Sequence, residues 1–265
     1  MKIHINILAF CLLTGFSVIP ACKKAEPQTK AIHDTESPGG TGQEKALIPL
    51  QIGTGKSKIT FSYTADNSLS KVEYGDGTST VLKYNTSGKP SALMSYQGLE
   101  LRSFTQYTLD KDGWVVRANK YLVTDQGYDD AGNDVFTYYT ASRLSQISHY
   151  NLQNKLLGTS QKFYSASGNV IRDQNSIDAL SAGYLYDEKN GLFKNAGYAW
   201  LFAAEDGNKL FFSCINNVRA CTYVLKPDLN QSFSYTYNTD GYPATVTSVS
   251  NGVTVSSKVT YRPAE

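Results

Sequence analysis

Residues 235–246 read YTYNTDGYPATV, and closely similar phrases occur at three other places in the chain. Each copy has a tyrosine, a turn-forming residue four positions later, and apolar or proline residues six and nine positions later. The other copies are FSYTADNSLSKV at 61–72, LKYNTSGKPSAL at 82–93 and FTYYTASRLSQI at 136–147. A recurring phrase of this kind is typical of a repeat architecture, in which each copy builds the same structural unit.

Each copy predicts the end of one strand, a tight reversal and the start of the next strand. Apolar and polar residues alternate before the turn, which places every second side chain on one face of a strand. Asn, Asp or Ser then bonds the nearby backbone, and Gly or Asn follows where φ must become positive, as in a type I turn with a glycine bulge. The residues assigned to these structural turns are Tyr63 with Asn67, Tyr84 with Gly88, Tyr164 with Gly168, and Tyr237 with Gly241.

The spacing of the repeats predicts the fold. Tyrosines stand at positions 63, 84, 107, 138, 164 and 186, where Tyr107 and Tyr186 begin looser copies with longer turns. Each interval accommodates two strands and their turns. We therefore predict a mainly all-β fold, an antiparallel meander that forms a long curved sheet or a partly closed barrel. The tyrosine rings should cover a sheet face while their hydroxyls stay in water.

One segment departs from the strand pattern. Residues 191–207 read GLFKNAGYAWLFAAEDG, with apolar residues four positions apart. This spacing predicts one short helix near 192–205 that closes one end of the sheet. Its apolar face is interpreted as a core plug, with a lip that contacts lipid as the alternative.

The N-terminus predicts export and a lipid anchor. The chain opens MKIHINILAFCLLTGFSVIPAC, with one lysine, an apolar run and a small residue before Cys22. Residues 1–21 are therefore predicted to be a signal peptide, too short to span a membrane. The ending IPAC resembles the lipobox of bacterial lipoproteins, which makes Cys22 the predicted acylated residue. Residues 22–47 are predicted to comprise that acylated cysteine and a disordered tether. Residues 48–265 are predicted to form a single β-rich domain.

The repeats resemble a degenerate form of the YD repeat of RHS-type proteins. A longer resemblance is to Bacteroidetes lipoproteins of unknown function, in which segments like YDEKNGLFKN (186–195), NNV (216–218) and YTYNTDGYP (235–243) occur in this order. The chain departs from the pattern at Gly191 and Leu192, where Asn-Pro is expected, and at Arg143, where the repeat glycine is absent. The resemblance implies a β-rich outer-membrane lipoprotein that faces the periplasm or the cell surface, and it implies no catalytic residues.

Charge and residue usage narrow the function further. The net charge is +2 and no lysine or arginine stripe is present, so nucleic acid is not a predicted partner. His149 is the one histidine after residue 47, and no nucleophile elbow lies near it, so it is interpreted as a strand surface residue. We predict no catalytic residue, metal or cofactor, and no enzymatic activity. A pair of carboxylates for glycoside hydrolysis stays open, because their separation is spatial.

Cys214 and Cys221 are the two cysteines that follow Cys22. A hairpin with its tip at 216–219 would set them opposite each other, and the cell envelope is oxidising. The sequence permits a structural disulfide there and does not decide it, because the Cα separation cannot be inferred from spacing.

Besides the hydrolase, which is disfavoured because no acid–base constellation is visible in the sequence, three functions remain open at this point. The preferred one is a non-enzymatic domain, held to the membrane by its lipid, that binds or scaffolds an unidentified envelope protein. In the second, Trp114 and Trp200 stack sugar rings of a glycan, against the alternative that they are packing pairs. In the third, the sheet carries lipid in a cavity lined by residues such as Phe193 and Leu201.

Overall fold

A computed structural model describes residues 45–140, 143–206 and 215–264. The predicted signal peptide and Cys22 lie outside the described residues, as does most of the predicted tether. The first strand begins at Leu47, one residue inside the predicted tether. Among the described residues, no helix is long and apolar enough to cross a membrane.

The described residues form sixteen antiparallel strands joined into a closed barrel. Neighbouring strands are consecutive in sequence, and the first strand pairs with the last. The predicted all-β meander is confirmed, and closure removes both sheet edges. The strands are β1 (Leu47–Ile52), β2 (Ile59–Tyr63), β3 (Leu69–Tyr74), β4 (Thr78–Tyr84), β5 (Pro90–Gln97), β6 (Glu100–Leu109), β7 (Val115–Thr124), β8 (Gly127–Thr140), β9 (Arg143–Tyr150), β10 (Leu156–Tyr164), β11 (Val170–Asn175), β12 (Leu180–Tyr186), β13 (Val218–Tyr223), β14 (Gln231–Tyr237), β15 (Pro243–Ser250) and β16 (Val253–Pro263).

The repeat turns follow the even-numbered strands, so all of them lie at one end of the barrel, the tyrosine rim. In these turns Asn67, Gly88, Gly168 and Gly241 have φ angles of 60°, 69°, 90° and 75°. In the second of them, the side-chain oxygen of Asn85 accepts hydrogen bonds from the backbone two and four positions later. Each turn ends in a shift of register where the next strand begins.

The predicted longer turn after Tyr107 is wrong. β6 continues to Leu109, and the turn at 110–113 has the same length and hydrogen bonds as the one at 85–88. Leu109 pairs with Val115 across the register shift, as Tyr84 pairs with Pro90. Tyr107 stands two positions earlier and faces the interior, because the strand alternates with a period of two.

Tyrosines near the ends of the even-numbered strands link a hairpin to the one before it, because their hydroxyls donate to backbone carbonyls rather than to water; the repeat tyrosine Tyr237 differs, since its hydroxyl donates to Asp187. A register shift leaves a backbone carbonyl outside the regular ladder, and a tyrosine hydroxyl one repeat later donates a hydrogen bond to it. These bonds, named here the tyrosine belt, run from Tyr63 to Pro49 (2.6 Å), Tyr84 to Leu69 (2.7 Å), Tyr138 to Val115 (2.8 Å), Tyr164 to Leu144 (2.9 Å), Tyr186 to Val170 (2.6 Å), Tyr235 to Val218 (2.6 Å) and Tyr261 to Pro243 (2.8 Å). Burial raises the pKa of hydroxyls such as those of Tyr63, Tyr84 and Tyr138, which keeps them protonated donors.

The one described α-helix, α1 (Ala199–Asp206), is shorter than the predicted span near 192–205, and two 3₁₀ turns lie at Gly55–Ser57 and Pro227–Leu229. Tyr198 has a φ of 59°, which no right-handed helix can include, so the helix begins after it. The residues before it are irregular and tied to the tyrosine rim: the amide of Asn195 donates to the carbonyl of Leu47 (3.0 Å) and to the hydroxyl of Tyr242 (2.7 Å).

Residues 191–206, the plug, fill the barrel interior. Phe193, Leu201 and Phe202 are fully buried in one apolar cluster with inward-facing side chains of β2 to β5. The rings of Phe61 and Phe193 meet edge to face at 5.2 Å. The outer face of β14 is polar by contrast, since exposed Ser232, Ser234 and Thr236 alternate with partly buried residues, whereas other strands expose apolar side chains such as Leu185 and Ile171. The segment is a core plug, but it lies within a closed barrel rather than over an open sheet.

Candidate functional site: a tryptophan cleft beside the plug

A cleft of about 320 Å³ lies between α1 and the strands β8 to β11. Its walls combine aromatic rings, apolar side chains and two cations. The rings and cations are those of Trp114, Tyr138, Tyr164, Trp200, Arg143 and Lys162. This mixture of apolar walls with a few convergent polar groups is typical of small-molecule sites.

Two different elements bring the tryptophans together. Trp114 closes the turn between β6 and β7, where the Asp110 side chain accepts its backbone N–H at 2.9 Å. Trp200 lies in the first turn of α1 and comes from the plug. Tyr138 stands between them, with ring centroids 5.8 Å from Trp114 and 6.5 Å from Trp200. Both tryptophans are partly exposed, so the cleft presents aromatic surface to a ligand.

Two cationic side chains line the cleft, Arg143 and Lys162. Arg143 has no ion-pair partner among the described residues, and its guanidinium lies 5.9 Å from the centre of the Tyr164 ring. Lys162 is nearly buried and pairs with Asp173 at 2.7 Å. Arg143 is therefore the cation that a bound anion would meet.

An open groove of about 720 Å³ continues from the cleft over the outer face of the barrel. Arg143 and Tyr164 line both spaces. In the groove, the guanidinium of Arg172 stacks on Phe163 at 4.0 Å, which holds a second cation against an aromatic ring. We name this surface the basic groove. Together, cleft and groove form one aromatic and cationic path.

The interpretation of His149 as a surface residue is wrong. His149 pairs with Asp134 across β8 and β9 in the inward-facing phase, and its side chain is 19% exposed. Its Nδ1 lies 2.7 Å from Asp134 Oδ1, and its Nε2 lies 3.0 Å from Ser160 Oγ. His149 and Ser160 line an interior cavity of about 180 Å³. Sequence reasoning missed this group because its members come from three strands, and only the register brings them together.

The other predicted sites have different outcomes. Cys221 is buried on β13, where it pairs with Tyr184 of β12 on one side and with Gln231 of β14 on the other. Both edges of its strand are thus occupied at that point, so the hairpin expected to align the cysteines does not form there. Cys214 lies outside the described residues, and the disulfide stays a prediction. The described residues contain no group of three or more potential metal ligands.

The residues named for a lipid cavity are core residues. Phe193 and Leu201 are completely buried and line none of the three cavities described above. They pack against the strands, so they do not present the dry pocket that the lipid-carrier reading requires.

No protein-family model matches the chain, and no curated protein does. Among solved structures, the chain is similar to a porin-like protein from Bacteroides uniformis, with 14% identity, a TM-score of 0.53, and coverage of 83% of this chain and 96% of that one. A porin-like protein from Bacteroides vulgatus matches with 13% identity, a TM-score of 0.48, and coverage of 82% and 99%. At such low identity, the first likeness shows a shared barrel fold and carries no residue roles.

Proposed function

We propose that this chain is an envelope lipoprotein whose barrel binds an acidic saccharide in the tryptophan cleft and along the basic groove. The observation that carries the proposal is the convergence of Trp114, Tyr138 and Trp200 on one accessible cleft beside Arg143. Aromatic faces stack on the apolar faces of sugar rings, and their edges leave the sugar hydroxyls accessible to polar groups.

The charge of the site favours an anionic ligand. The planar guanidinium of Arg143 can bind a carboxylate through two parallel hydrogen bonds, and it has no such partner among the described residues. Arg172, held on Phe163 in the groove, offers a second such contact further along the path. Two cations along one open path suit an extended chain with repeated carboxylates, such as a uronic acid oligosaccharide.

A pore is a poorer fit to the interior. Porins have an apolar outer band and a polar, water-filled lumen. In this barrel, fully buried Phe193 and Phe202 pack inside, and the outer face of β14 is polar, with exposed Ser232 and Ser234. Because the plug packs apolar side chains into the interior, binding is proposed rather than conduction.

The proposed location is the outer membrane, with the barrel facing the periplasm or the cell surface. Support comes from the signal-like N-terminus, the lipobox-like sequence before Cys22, and the fold shared with a porin-like protein from Bacteroides. Mass spectrometry of the mature N-terminal peptide tests the anchor. Diacylglycerol and a fatty acid on Cys22 are expected, and an unmodified Cys22 would remove the anchor from the proposal.

The binding test uses the full chain with Cys22→Ala, which keeps it free of lipid. Uronic acid oligosaccharides should bind more tightly than neutral ones of equal length. Trp114→Ala should weaken binding of both classes, whereas Arg143→Gln should reduce only the preference for the acidic class. Tyr128→Ala, which removes an exposed ring away from the cleft, is the matched control. Binding that is insensitive to Trp114→Ala would contradict the proposal.

An exposed aromatic patch supports a second candidate function, docking of an envelope protein. Phe104 and Tyr121 stack at 4.7 Å on the outer face, and Tyr128 meets both edge to face. Tyr128 is 64% exposed, and exposed aromatic clusters are typical of protein interfaces. A photo-crosslinking residue at position 128 should form one discrete adduct in cells, and the same residue at exposed Lys83 should not. Identical patterns at both positions would exclude this docking surface.

A further inference from the structure

We infer that Ser160, His149 and Asp134 form a nucleophile, general base and orienting carboxylate, and that the interior cavity they border hydrolyses short acyl esters. The inference goes beyond the binding role proposed above and does not depend on it. It also runs against the sequence-based prediction of a protein without enzymatic activity. Three hydrogen-bonded side chains and a cavity carry it.

The geometry is that of a serine hydrolase relay. Ser160 Oγ lies 3.0 Å from His149 Nε2, and His149 Nδ1 lies 2.7 Å from Asp134 Oδ1. These distances fall within the hydrogen-bond reach that links a nucleophile to its base and a base to its orienting group. Such a constellation is recognised by geometry and not by sequence order, since it recurs on unrelated folds.

The barrel register builds this arrangement. Asp134 and His149 are direct partners across β8 and β9. On the other side of β9, Ser160 of β10 is the partner of Ile147, two positions from His149 and therefore on the same face. Adjacent inward positions on three neighbouring strands thus place the side chains in a row.

Asp134 is held in the state that orienting a histidine requires. Burial alone would raise the pKa of this carboxyl, but the hydrogen bond from His149 and the charge of Lys120 outweigh it, and the pKa is lowered. The ionised carboxylate accepts a hydrogen bond from the N–H at His149 Nδ1, so that Nε2 carries the lone pair toward Ser160. Lys120, 2.7 Å from the second carboxylate oxygen, fixes Asp134 from the opposite side.

The cavity limits the acyl group to a short one. Its volume is about 180 Å³, and its walls include Ile147, Ala203 and Ala204. Lys162 lines the same cavity from the same strand as Ser160, together with its ion-pair partner Asp173 at 2.7 Å. Lys162 and Ala204 also border the tryptophan cleft, so the two spaces are neighbours.

The proposed reaction uses no co-reactant except water. Ser160 Oγ attacks the ester carbonyl carbon while His149 Nε2 takes the hydroxyl proton. The carbon–oxygen bond to the alcohol then breaks, and His149 returns the proton to the departing alcohol, which leaves acyl-Ser160. Water, deprotonated by His149, attacks this second ester, and the carboxylic acid leaves as Ser160 regains its proton.

A fluorophosphonate probe tests the inference on the full chain, because such probes react covalently with activated serines. Intact mass should rise by one adduct, and peptide mapping should place it on Ser160. Ser160→Ala should remove the adduct, and His149→Gln should slow labelling by about 100-fold or more, the usual loss when a general base is removed. Ser148→Ala, which alters a buried serine on β9, should label like the wild type.

Two further measurements separate catalysis from a structural hydrogen-bond network. Hydrolysis of p-nitrophenyl acetate should fall with labelling in the same variants while their melting curves remain cooperative. If Ser160→Ala does not fold, Ser160→Cys should react with iodoacetamide faster than Cys221 does in the wild type. A folded wild-type protein that takes no label, or a label that persists in Ser160→Ala, overturns the inference. Loss of saccharide binding alone leaves it intact.

Discussion

The two sides of the barrel interior differ in what faces inward. On β2 to β5, large apolar side chains such as Phe61 and Leu82 pack against Phe193 of the plug. On β7 to β11, polar side chains, including those of His149 and Lys162, point inward among apolar ones such as Phe136, and the cavities lie beside them. We call these the apolar side and the polar side.

The backbone scaffold is shared by both sides. Positive-φ turn residues and the tyrosine belt occur on each of them, as Tyr84 and Tyr164 illustrate. The difference therefore resides in the inward positions between the turns, which the repeat leaves variable. It shows how one repeated hairpin can provide stability on one side of a barrel and a site on the other.

The largest expected effect concerns the plug on the apolar side. Phe193→Ala should destabilise the protein by about 3–5 kcal/mol, because it opens a cavity in a fully packed region. Trp114→Ala on the cleft should cost less than half of that, since its ring already borders open space. Urea unfolding monitored by circular dichroism measures both. Equal losses would erase the contrast between the sides.

The next effect concerns the polar side. Asp134→Asn should lower the free energy of unfolding by about 2–4 kcal/mol at pH 7, because it removes the charge that pairs with Lys120. The loss is moderate because Lys120 is partly exposed to solvent. The folded pKa of Asp134 lies below its ordinary value near 3.9, so its contribution is complete above that value and is lost as pH falls through the folded pKa.

The pH dependence of unfolding tests whether the pKa of Asp134 is lowered in the folded protein. Free energies of unfolding between pH 6 and pH 2 should fall less steeply for Asp134→Asn than for the wild type. Asp228→Asn, which alters a short surface turn, serves as the control for general loss of negative charge. A steeper fall in Asp134→Asn would contradict the assigned direction.

Removal of one belt hydroxyl should cost about 1–2 kcal/mol on either side. Tyr84→Phe and Tyr164→Phe each leave a carbonyl without its tyrosine partner, at Leu69 and Leu144. Exposed Tyr128→Phe should change stability by less than about 0.5 kcal/mol. Thermal melts of the three variants test whether the belt stabilises both sides of the barrel. A loss of stability in Tyr84→Phe but not in Tyr164→Phe would refute this.

The smallest effect concerns a repeat turn. Gly88→Ala should cost about 1 kcal/mol, because its φ of 69° disfavours a Cβ, whereas the space around it is open, with Asp66 Oδ2 4.0 Å away. Gly98→Ala, at a similar φ of 60° in a turn at the opposite end, should cost about as much. Chemical denaturation of both variants compares the two ends of the barrel. A cost of several kcal/mol for Gly88→Ala alone would point to a tighter environment than the structure has.

Turn chemistry made the hairpin scaffold predictable from the sequence. The contacts made by the inward-facing side chains were not predictable. Asn67 and Gly88 mark reversals by local rules, so the meander follows from short-range patterns. Closure depends on the pairing of β1 with β16, which no local pattern contains. The role of Tyr84 was misjudged for a related reason, because its acceptor, the Leu69 carbonyl, becomes available only through the bulge of the preceding hairpin.

The candidate site was predictable only in part. Trp114 and Trp200 stand out by residue type, but their meeting at Tyr138 requires the plug to enter the barrel. His149 appeared isolated because Asp134 and Ser160 are 15 and 11 positions away in sequence. The sequence signal for that group is that all three residues occupy inward-facing positions on adjacent strands. This signal can be used only once the strand register is known.

Tryptophan fluorescence tests the central claim most directly, because the chain has two tryptophans and both line the cleft. Titration with a uronic acid oligosaccharide should shift the emission and saturate, with Trp114→Phe and Trp200→Phe each retaining part of the signal. Arg143→Gln should weaken this response to the acidic ligand and leave the response to a neutral analogue unchanged. Emission that stays constant while the oligosaccharide is shown to bind by calorimetry would place the ligand elsewhere and contradict the account.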